Sequence, residues 1–516
     1  HTLLLLVSAA NACLHFECQG TAVTCRPEAK LLYLVEEPDC NFTESLNFDG
    51  LQQEAYIKTS NPDVNDGPNG RIAFDCATQT LVLGLQRESS NATGVGGNQT
   101  DNSAAQAGAV YVFRFQDGQW AQEAYLKASN TEGGDQFGFS VALSGDTLVV
   151  GARGEGSAAT GVNGIQSYGA AGSGAAYVFR RDSLNLWTQE AYLKASNTGA
   201  GDEFGRDVAV SGDLIAVSAR TEDSSAAGVN GNQADNSAGN SGAAYVFRRG
   251  DSGFWAQEAY LKASSPSANE NFGFAIALDG DTLAVTANNE GSNGVGVGPD
   301  PANNGRAGSG AAFVFTAVDG VWSQQAYIKA SNPDNNDNFG DSVALRGDLL
   351  AVGSLEERSA ATGINGDQTS NAAGSSGAAY VFERSDGVWT QEAYVKASNT
   401  QANDLFGSSV ALGNESLVVG AFDEASAATG INGDQTDNTA GGAGAAYLFR
   451  RNSGQWSQAA YIKASNASGG DSFGEIVTMS GDGMAIFSGP EDGPSSGING
   501  GQGDGLGSSG AVYFFR

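Results

Sequence analysis

One pattern of 67 or 68 residues recurs along most of this chain, and it constrains the fold more than any other feature. A copy starts at Trp187 with W-T-Q-E-A-Y-L-K-A-S-N and continues through Phe204-Gly205 to a long Asn/Gly/Ser loop. It then closes with G-A-A-Y-V-F at Phe247. A unit of this size holds several strands but too little core to be stable alone, so we expect the copies to stack on one another. The Phe-Gly pairs begin at Phe137, Phe204, Phe272, Phe339, Phe406 and Phe473.

Each copy contains four segments whose apolar residues alternate as in β-strands. In one cycle these segments are residues 137–143, 147–152, 174–180 and 187–195. A strand of the fourth type also occurs at 52–60, ahead of any strand of the first type, and none follows 510–515. A ring in which 52–60 completes the last sheet hides both sheet edges. The sequence therefore predicts an all-β fold, a seven-bladed propeller of four-stranded blades spanning residues 51–516, with residues 1–50 as a separate extension.

The elements F-G-x-x-V-A-L, V-V-G-A and G-A-A-Y-V-F resemble FG-GAP repeats, the propeller repeats of integrin alpha subunits and many secreted bacterial proteins. The resemblance covers about nine tenths of the chain and leaves out residues 1–50. It implies a Ca²⁺ site in an Asp/Asn-rich loop between the first and second strands of a blade. Here that loop has shrunk to turns such as Ser144-Gly145-Asp146, which offer too few oxygens for a cation that takes six to eight. This calcium site is therefore not expected to be present.

Two other acidic series recur with the repeat. We expect both to lie on one face of the propeller, where they either form rings that bind Ca²⁺ or accept backbone N–H groups of their own loops. The lysines of the fourth strands are expected to form a solvated ladder with glutamates four residues earlier, such as Glu190 with Lys194. The candidate metal ligands are Glu155, Glu222, Glu290, Glu357 and Glu424 in one series, with Glu88 and Asp492 at its ends, and Asp135, Asp202, Asp337, Asp404 and Asp471 in the other, with Glu270 in the fourth copy.

Charge and histidine content narrow the class of protein. The formal charge of −32 disfavours nucleic acid and anionic membrane surfaces as partners. The two histidines, His1 and His15, lie outside the repeats, so no His-based triad can form there. The chain has no P-loop. We expect no membrane span and a protein that is not an enzyme.

The first residues carry a different composition from the repeats. Clustered cysteines indicate disulfides and an oxidising compartment, since their spacing lacks paired C-x-x-C zinc knuckles. The odd number leaves one thiol free or bridged to another chain. The apolar run 3–7 reads either as the end of a secretory signal or as a strand that needs burial. The cysteines are Cys13, Cys18, Cys25, Cys40 and Cys76, and the apolar run is Leu3, Leu4, Leu5, Leu6 and Val7.

Two functional hypotheses follow. The first is an extracellular or cell-surface structural protein that assembles with itself head-to-tail, the run 3–7 adding as a donor strand to a neighbouring subunit. In a competing arrangement, residues 1–50 fold back on their own propeller as a disulfide-stapled cap. The alternative function is a monomeric adhesin, binding glycans or surface proteins through cations on the loop-rich face.

Overall fold

A computed structural model shows seven four-stranded antiparallel sheets, and it describes residues 50–503, 505 and 507–516. Within the described residues there is no α-helix. We number the sheets as blades in chain order. Blade 1 comprises β2 (Arg71–Asp75), β3 (Thr80–Leu85), β4 (Ala109–Gln116) and β5 (Gln119–Leu126); blade 2 comprises β6 (Phe137–Ser144), β7 (Thr147–Ala152), β8 (Ala175–Arg181) and β9 (Trp187–Leu193); blade 3 comprises β10 (Val208–Ser211), β11 (Leu214–Ala219), β12 (Ala243–Arg249) and β13 (Trp255–Leu261).

The remaining blades repeat the same meander, so the predicted all-β propeller with seven blades is confirmed. Blade 4 comprises β14 (Ile276–Asp279), β15 (Thr282–Ala287), β16 (Ala311–Val318) and β17 (Val321–Ile328); blade 5 comprises β18 (Ser342–Arg346), β19 (Leu349–Ser354), β20 (Ala378–Ser385) and β21 (Val388–Val395); blade 6 comprises β22 (Phe406–Leu412), β23 (Ser416–Ala421), β24 (Ala445–Asn452) and β25 (Gln455–Ile462); blade 7 comprises β26 (Ile476–Ser480), β27 (Gly483–Ser488), β28 (Ala511–Phe515) and β1 (Gln53–Ile57).

The ring closes through blade 7, as predicted. Strand β1 pairs antiparallel with β28, and Tyr56 lies opposite Tyr513. The N–H of Gln52 donates to the carbonyl of Arg516 over 3.0 Å, and the reverse bond measures 3.1 Å. The strand is shorter than the expected 52–60, and just beyond it the N–H of Lys58 donates to the carbonyl of Gly497 in the long loop over 2.9 Å.

The hydrophobic core lies between the blades, as expected for units that cannot fold alone. Each blade shares one apolar cluster with the next, so both faces of every sheet are covered. Between blades 2 and 3, the fully buried Phe204 meets the ring of Tyr245 edge-on, with 5.3 Å between ring centroids. The Phe of the Phe-Gly pair is therefore a packing residue.

A β-bulge in every outermost strand breaks the simple alternation assumed from the sequence. In blade 2 the register slips between Ala191 and Gln189, which leaves Glu190 as the extra residue. The Glu190 carboxylate accepts hydrogen bonds from Arg249 and from the indole N–H of Trp255, both in blade 3. The predicted pair of Glu190 with Lys194 is therefore wrong.

The first strands of the blades stand side by side around a central channel. The starts of these strands and the ends of the second strands meet at one face of the ring, together with the long loops. A residue that differs between blades at this face changes the chemistry of the channel lining. The packing between the blades does not depend on it. These first strands are β2, β6, β10, β14, β18, β22 and β26.

Candidate functional site

The lysines of the outermost strands are buried ion-pair partners, so the predicted solvated ladder is wrong. In blade 2, Lys194 Nζ lies 2.9 Å from Glu155 Oε2 and donates to Ser173 Oγ and to the carbonyl of Gly174. Both charged side chains of each pair are at most 2% exposed. The long loop folds back over the strand and covers them. The pairs are Lys127–Glu88, Lys194–Glu155, Lys262–Glu222, Lys329–Glu290, Lys396–Glu357 and Lys463–Glu424.

Blade 7 uses a different acid from the one expected. The buried carboxylate there belongs to Glu491, which accepts a hydrogen bond from Tyr56 Oη over 2.8 Å. Asp492, the residue expected in this position from the repeat pattern, lies one residue further along the chain. Lys58 Nζ donates to Ser509 Oγ, and burial lowers the pKa of this lysine to about 8.

The second acidic series closes turns in the chain. Asp135 Oδ2 accepts the N–H of Glu132 over 2.8 Å, and the same bond recurs three residues apart in the other blades. Asp66 occupies this position in blade 1, which the sequence comparison missed. In the described part of the chain, no group of three or more His, Cys, Asp or Glu side chains could hold a metal ion. Metal binding by either series stays a prediction. The bonds seen here are those of turns and ion pairs. The residues of this series are Asp135, Asp202, Glu270, Asp337, Asp404 and Asp471.

These buried turn aspartates make stability depend on pH. Burial raises the pKa of Asp135, Asp337 and Asp404 to about 7, and that of Asp202 and Asp471 to about 6. The folded chain therefore binds more protons than the unfolded chain between about pH 4 and pH 7, and stability falls as pH rises through that window. We expect a higher melting temperature at pH 5 than at pH 8, measured by calorimetry in high salt, which screens the net charge.

A matched pair of variants isolates this effect. Asp135→Asn keeps an acceptor in the turn and should reduce the difference between the two pH values, whereas Asp251→Asn, at an exposed hairpin, should leave it unchanged. A melting temperature that increases from pH 5 to pH 8 contradicts the prediction.

The long loops also protect the outer edge of each blade. In blade 2, Asn163 exchanges two hydrogen bonds with the backbone of Tyr192, and Val162 forms a bridge with Leu193. The loop thus covers the later half of the outermost strand, which keeps that half from pairing with another chain. Among the described residues no strand pairs with the outer edge of the earlier half, which begins at Trp187 and is bound on its inner edge by β8.

Blade 4 departs from this pattern and forms an apolar groove with blade 5. Its loop has Gly298 where blade 2 has Asn163, followed by Pro299 and Pro301. The groove has a volume of about 360 Å³. Val388, at the first position of β21, borders it and is 61% exposed. The lining consists of Ser264, Val297, Gly298, Pro299, Pro301, Gln324, Gln325, Ala326, Tyr327, Gly387, Val388 and Trp389.

The channel mouth also breaks the repeat symmetry, and the sequence analysis missed it. The residue after each Phe-Gly pair lines the channel or its mouth and changes chemistry from blade to blade. A consensus of the repeats conceals the residue after the Phe-Gly pair, because that residue changes between copies. Its variation directly beside an invariant pair is the sequence signal that could have indicated a site at the channel mouth. Blades 2 to 4 contribute aromatic and basic residues, and blades 5 to 7 contribute acidic and small ones. In order these are Phe139, Arg206, Phe274, Asp341, Ser408 and Glu475.

Of the candidate residues in the N-terminal segment, Cys76 alone is among the described residues. The run Leu3 to Val7 and four of the cysteines lie outside the described residues. Cys76 follows β2, and its N–H donates to Ser480 Oγ over 3.3 Å. The disulfides stay a prediction. Within the described residues, no helix has the length and apolar character needed to cross a bilayer.

Comparison with known proteins identifies the repeat. The family described as FG-GAP repeat matches six segments of the chain, each containing strand types four, one, two and three in that order. No curated protein matches the chain at a significant level. The six segments are residues 120–179, 187–247, 255–315, 322–382, 389–449 and 456–515.

Proposed function

Because this chain belongs to the FG-GAP repeat family, we propose that it is an extracellular, non-catalytic propeller that assembles with copies of itself. The propeller fold is consistent with an extracellular or binding role. The glutamates that recur in the loops have buried lysines as partners, which supports a structural role for them. A structural or binding function suits such blades better than hydrolysis by paired carboxylates.

The observation that carries self-assembly is the groove between blades 4 and 5. It combines the stretch of β17 from Gln324 to Tyr327 with the exposed apolar side chain of Val388. Beside this stretch Gly298 lacks the side-chain oxygen that in blade 2 accepts the N–H of Tyr192. An open strand edge supplies main-chain hydrogen bonds to an added strand, and neighbouring apolar pockets select its side chains. At the equivalent hairpin position blades 2, 3 and 4 also carry exposed apolar residues, Leu186, Phe254 and Val321, whereas blades 1 and 6 carry Gln119 and Gln455.

The run Leu3 to Val7 is the segment that fits this groove. Five extended residues span about 17 Å, and alternate side chains point to the same side of the strand. The propeller ring closes through β1, so residues 1–50 are not needed to complete it. A strand given by one copy to the next is a head-to-tail contact, and such contacts generate filaments when they do not close. Because each copy carries a charge of −32, salt should favour the association.

Val388→Asp tests this proposal. The new carboxylate would be desolvated by a docked apolar strand, so we expect polymers of the full-length protein to shorten or disappear in high salt. Sedimentation velocity and negative-stain images measure this. Gln455→Asp places the same charge at the equivalent position of blade 6 and should leave assembly unchanged.

A second pair of variants tests the donor segment. Leu4→Asp or Leu6→Asp in the full chain should abolish assembly, whereas Thr2→Asp should reduce it much less, since Thr2 lies outside the apolar run. Polymers that persist in Val388→Asp and in Leu4→Asp alike would show that the connection lies elsewhere.

A further inference from the structure

A basic cavity lies at the mouth of the central channel, on the face that carries the long loops. Its volume is about 260 Å³. The described residues that line it include four arginines and not one aspartate or glutamate, in a chain with 58 acidic and 26 basic residues. Acidic residues outnumber basic ones more than two to one in this chain, so a cavity lined by four arginines and no acid is not what the composition alone would give. The lining residues are Asn69, Arg71, Gln86, Arg87, Gln106, Gln136, Phe139, Arg153 and Arg206.

Phe139 holds three of the arginines in place. The guanidinium carbon of Arg153 lies 3.9 Å from the centre of its ring, that of Arg206 4.8 Å and that of Arg71 5.7 Å. Arg206 also lies 5.1 Å from the ring of Phe274. Contact of a guanidinium with an aromatic ring uses its flat face and leaves the N–H groups at its edge free to donate. The phenylalanines therefore fix the arginines and leave their donors available.

Among the described residues, no carboxylate forms an ion pair with the four arginines. None of Arg71, Arg87, Arg153 and Arg206 forms an ion pair within the described part of the chain, whereas neighbouring Arg220 is paired with Glu203 at 2.9 Å. The buried Nε of Arg206 has no hydrogen-bond partner among the residues that the structure describes. Burial, together with the charges of Arg220 and Arg71, lowers the pKa of Arg206 to about 9.

The nearest carboxylates already serve the backbone. Asp207 accepts the N–H groups of Ile276 and Val208, and Glu475 accepts those of Asn69 and Gly489. Neither lines the basic cavity. Asp207 and Glu475 offset part of the positive charge from outside the cavity. No carboxylate is found among the described residues that line it, so its arginines repel one another and the cavity keeps a surplus of positive charge.

We infer that this cavity binds a phosphate or sulfate group, either as the free ion or as an ester on a small molecule or sugar. A tetrahedral dianion presents several strong acceptor oxygens, and arginines recognise such groups through paired N–H donors. Gln86, Gln106 and Gln136 would supply amides for the hydroxyl groups of an attached sugar. The site uses blades 1 to 3, while blade 5 contributes Asp341 to the channel lining, so the ligand would lie off the axis of the ring.

Calorimetric titration of the full-length protein tests the inference, in chloride buffer at constant ionic strength. Inorganic phosphate, inorganic sulfate, a sugar 6-phosphate and a sugar 6-sulfate are the four ligands. We expect saturable binding of at least one, with an increased melting temperature when it is bound. Tighter binding of the sugar esters than of the free ions identifies an ester as the ligand, and the reverse identifies the free ion.

Two variants and a control make the result specific. Arg206→Gln should weaken binding about tenfold or more, because it removes charge-assisted hydrogen bonds. Arg346→Gln makes the same charge change at the tight turn that follows β18 and should have little effect. Unchanged affinity in Arg206→Gln, or no saturable binding of any of the four ligands, overturns the inference.

Gln136→Glu keeps the test decisive if Arg206→Gln does not fold. Arg153 Nε donates to Gln136 Oε1 over 2.7 Å, so a glutamate there gives this arginine its missing counter-charge. We expect the unliganded variant to melt at a higher temperature than the wild type and to bind the anion more weakly. If the arginines had only a structural role, Gln136→Glu would raise the melting temperature and leave anion affinity unchanged. That result would count against the inference.

Discussion

Replacing Lys194 by methionine is expected to lower the free energy of unfolding by about 3–5 kcal/mol, the range measured when one partner of a buried ion pair is removed. The substitution keeps the length of the side chain but leaves Glu155 charged and buried without its counter-charge. Ser173 and the carbonyl of Gly174 also lose a hydrogen-bond donor. Chemical denaturation followed by tryptophan fluorescence measures the change.

The double variant Lys194→Met/Glu155→Gln is the matched control. Glutamine retains an oxygen for the hydrogen bonds that Glu155 Oε1 accepts from Asn130 and from the N–H of Ser157. It carries no charge, so the double variant should recover most of the lost stability. If the single variant is as stable as the wild type, the pair does not stabilise the blade in the way its burial indicates.

Gly174→Ala is expected to destabilise the propeller by roughly 3–5 kcal/mol, through backbone strain and overpacking together. Gly174 has a φ of +77°, and a Cβ added there would lie 2.0 Å from the carbonyl oxygen of Phe204. That oxygen belongs to the backbone that leads into the next blade, so neither partner can rotate away. The glycine of G-A-A-Y-V-F is therefore needed for blades 2 and 3 to approach each other. Thermal and denaturant unfolding measure the loss.

Gly145→Ala separates the two contributions. Gly145 also has a positive φ, +55°, but a Cβ there would meet no atom within 4 Å. This variant should show only the strain of the backbone conformation, about 1–2 kcal/mol. Equal losses in the two variants would mean that the close approach between blades has no energetic weight.

The architecture could be predicted from the sequence because every blade needs the same packing residues. Phe204 and its equivalents fill the same space between sheets, so the repeat period and the displaced strand 52–60 were sufficient to give the number of blades and the way the ring closes. The N-terminal segment offered no such repetition, and its predicted roles in disulfides and assembly depend on composition alone.

The ion pairs were assigned wrongly because strand periodicity was applied across a bulge. Glu190 and Lys194 are four residues apart in sequence, yet the true partner of Lys194 is Glu155, 39 positions away. The constant spacing between these two series was visible in the repeats, but only the fold of the long loop shows why it matters. The channel arginines were missed for the opposite reason: they occur where the repeats differ, and Arg206 has no equivalent in the other blades.

The pairing of β1 with β28 has a consequence for biosynthesis. Lys58 and its hydrogen-bond partner Ser509 are 451 positions apart, so Lys58 emerges from the ribosome long before Ser509 is synthesised. Until then the Tyr56 strand is an apolar segment in the nascent protein with no partner. The entropic cost of bringing two chain segments together grows only slowly with their separation in sequence, so the pairing of β1 with β28 adds little to the free energy of folding. It does delay completion of the native state, because pairing between distant segments is slow. A chaperone that shields this strand during translation would act where the molecule is most exposed to misassembly.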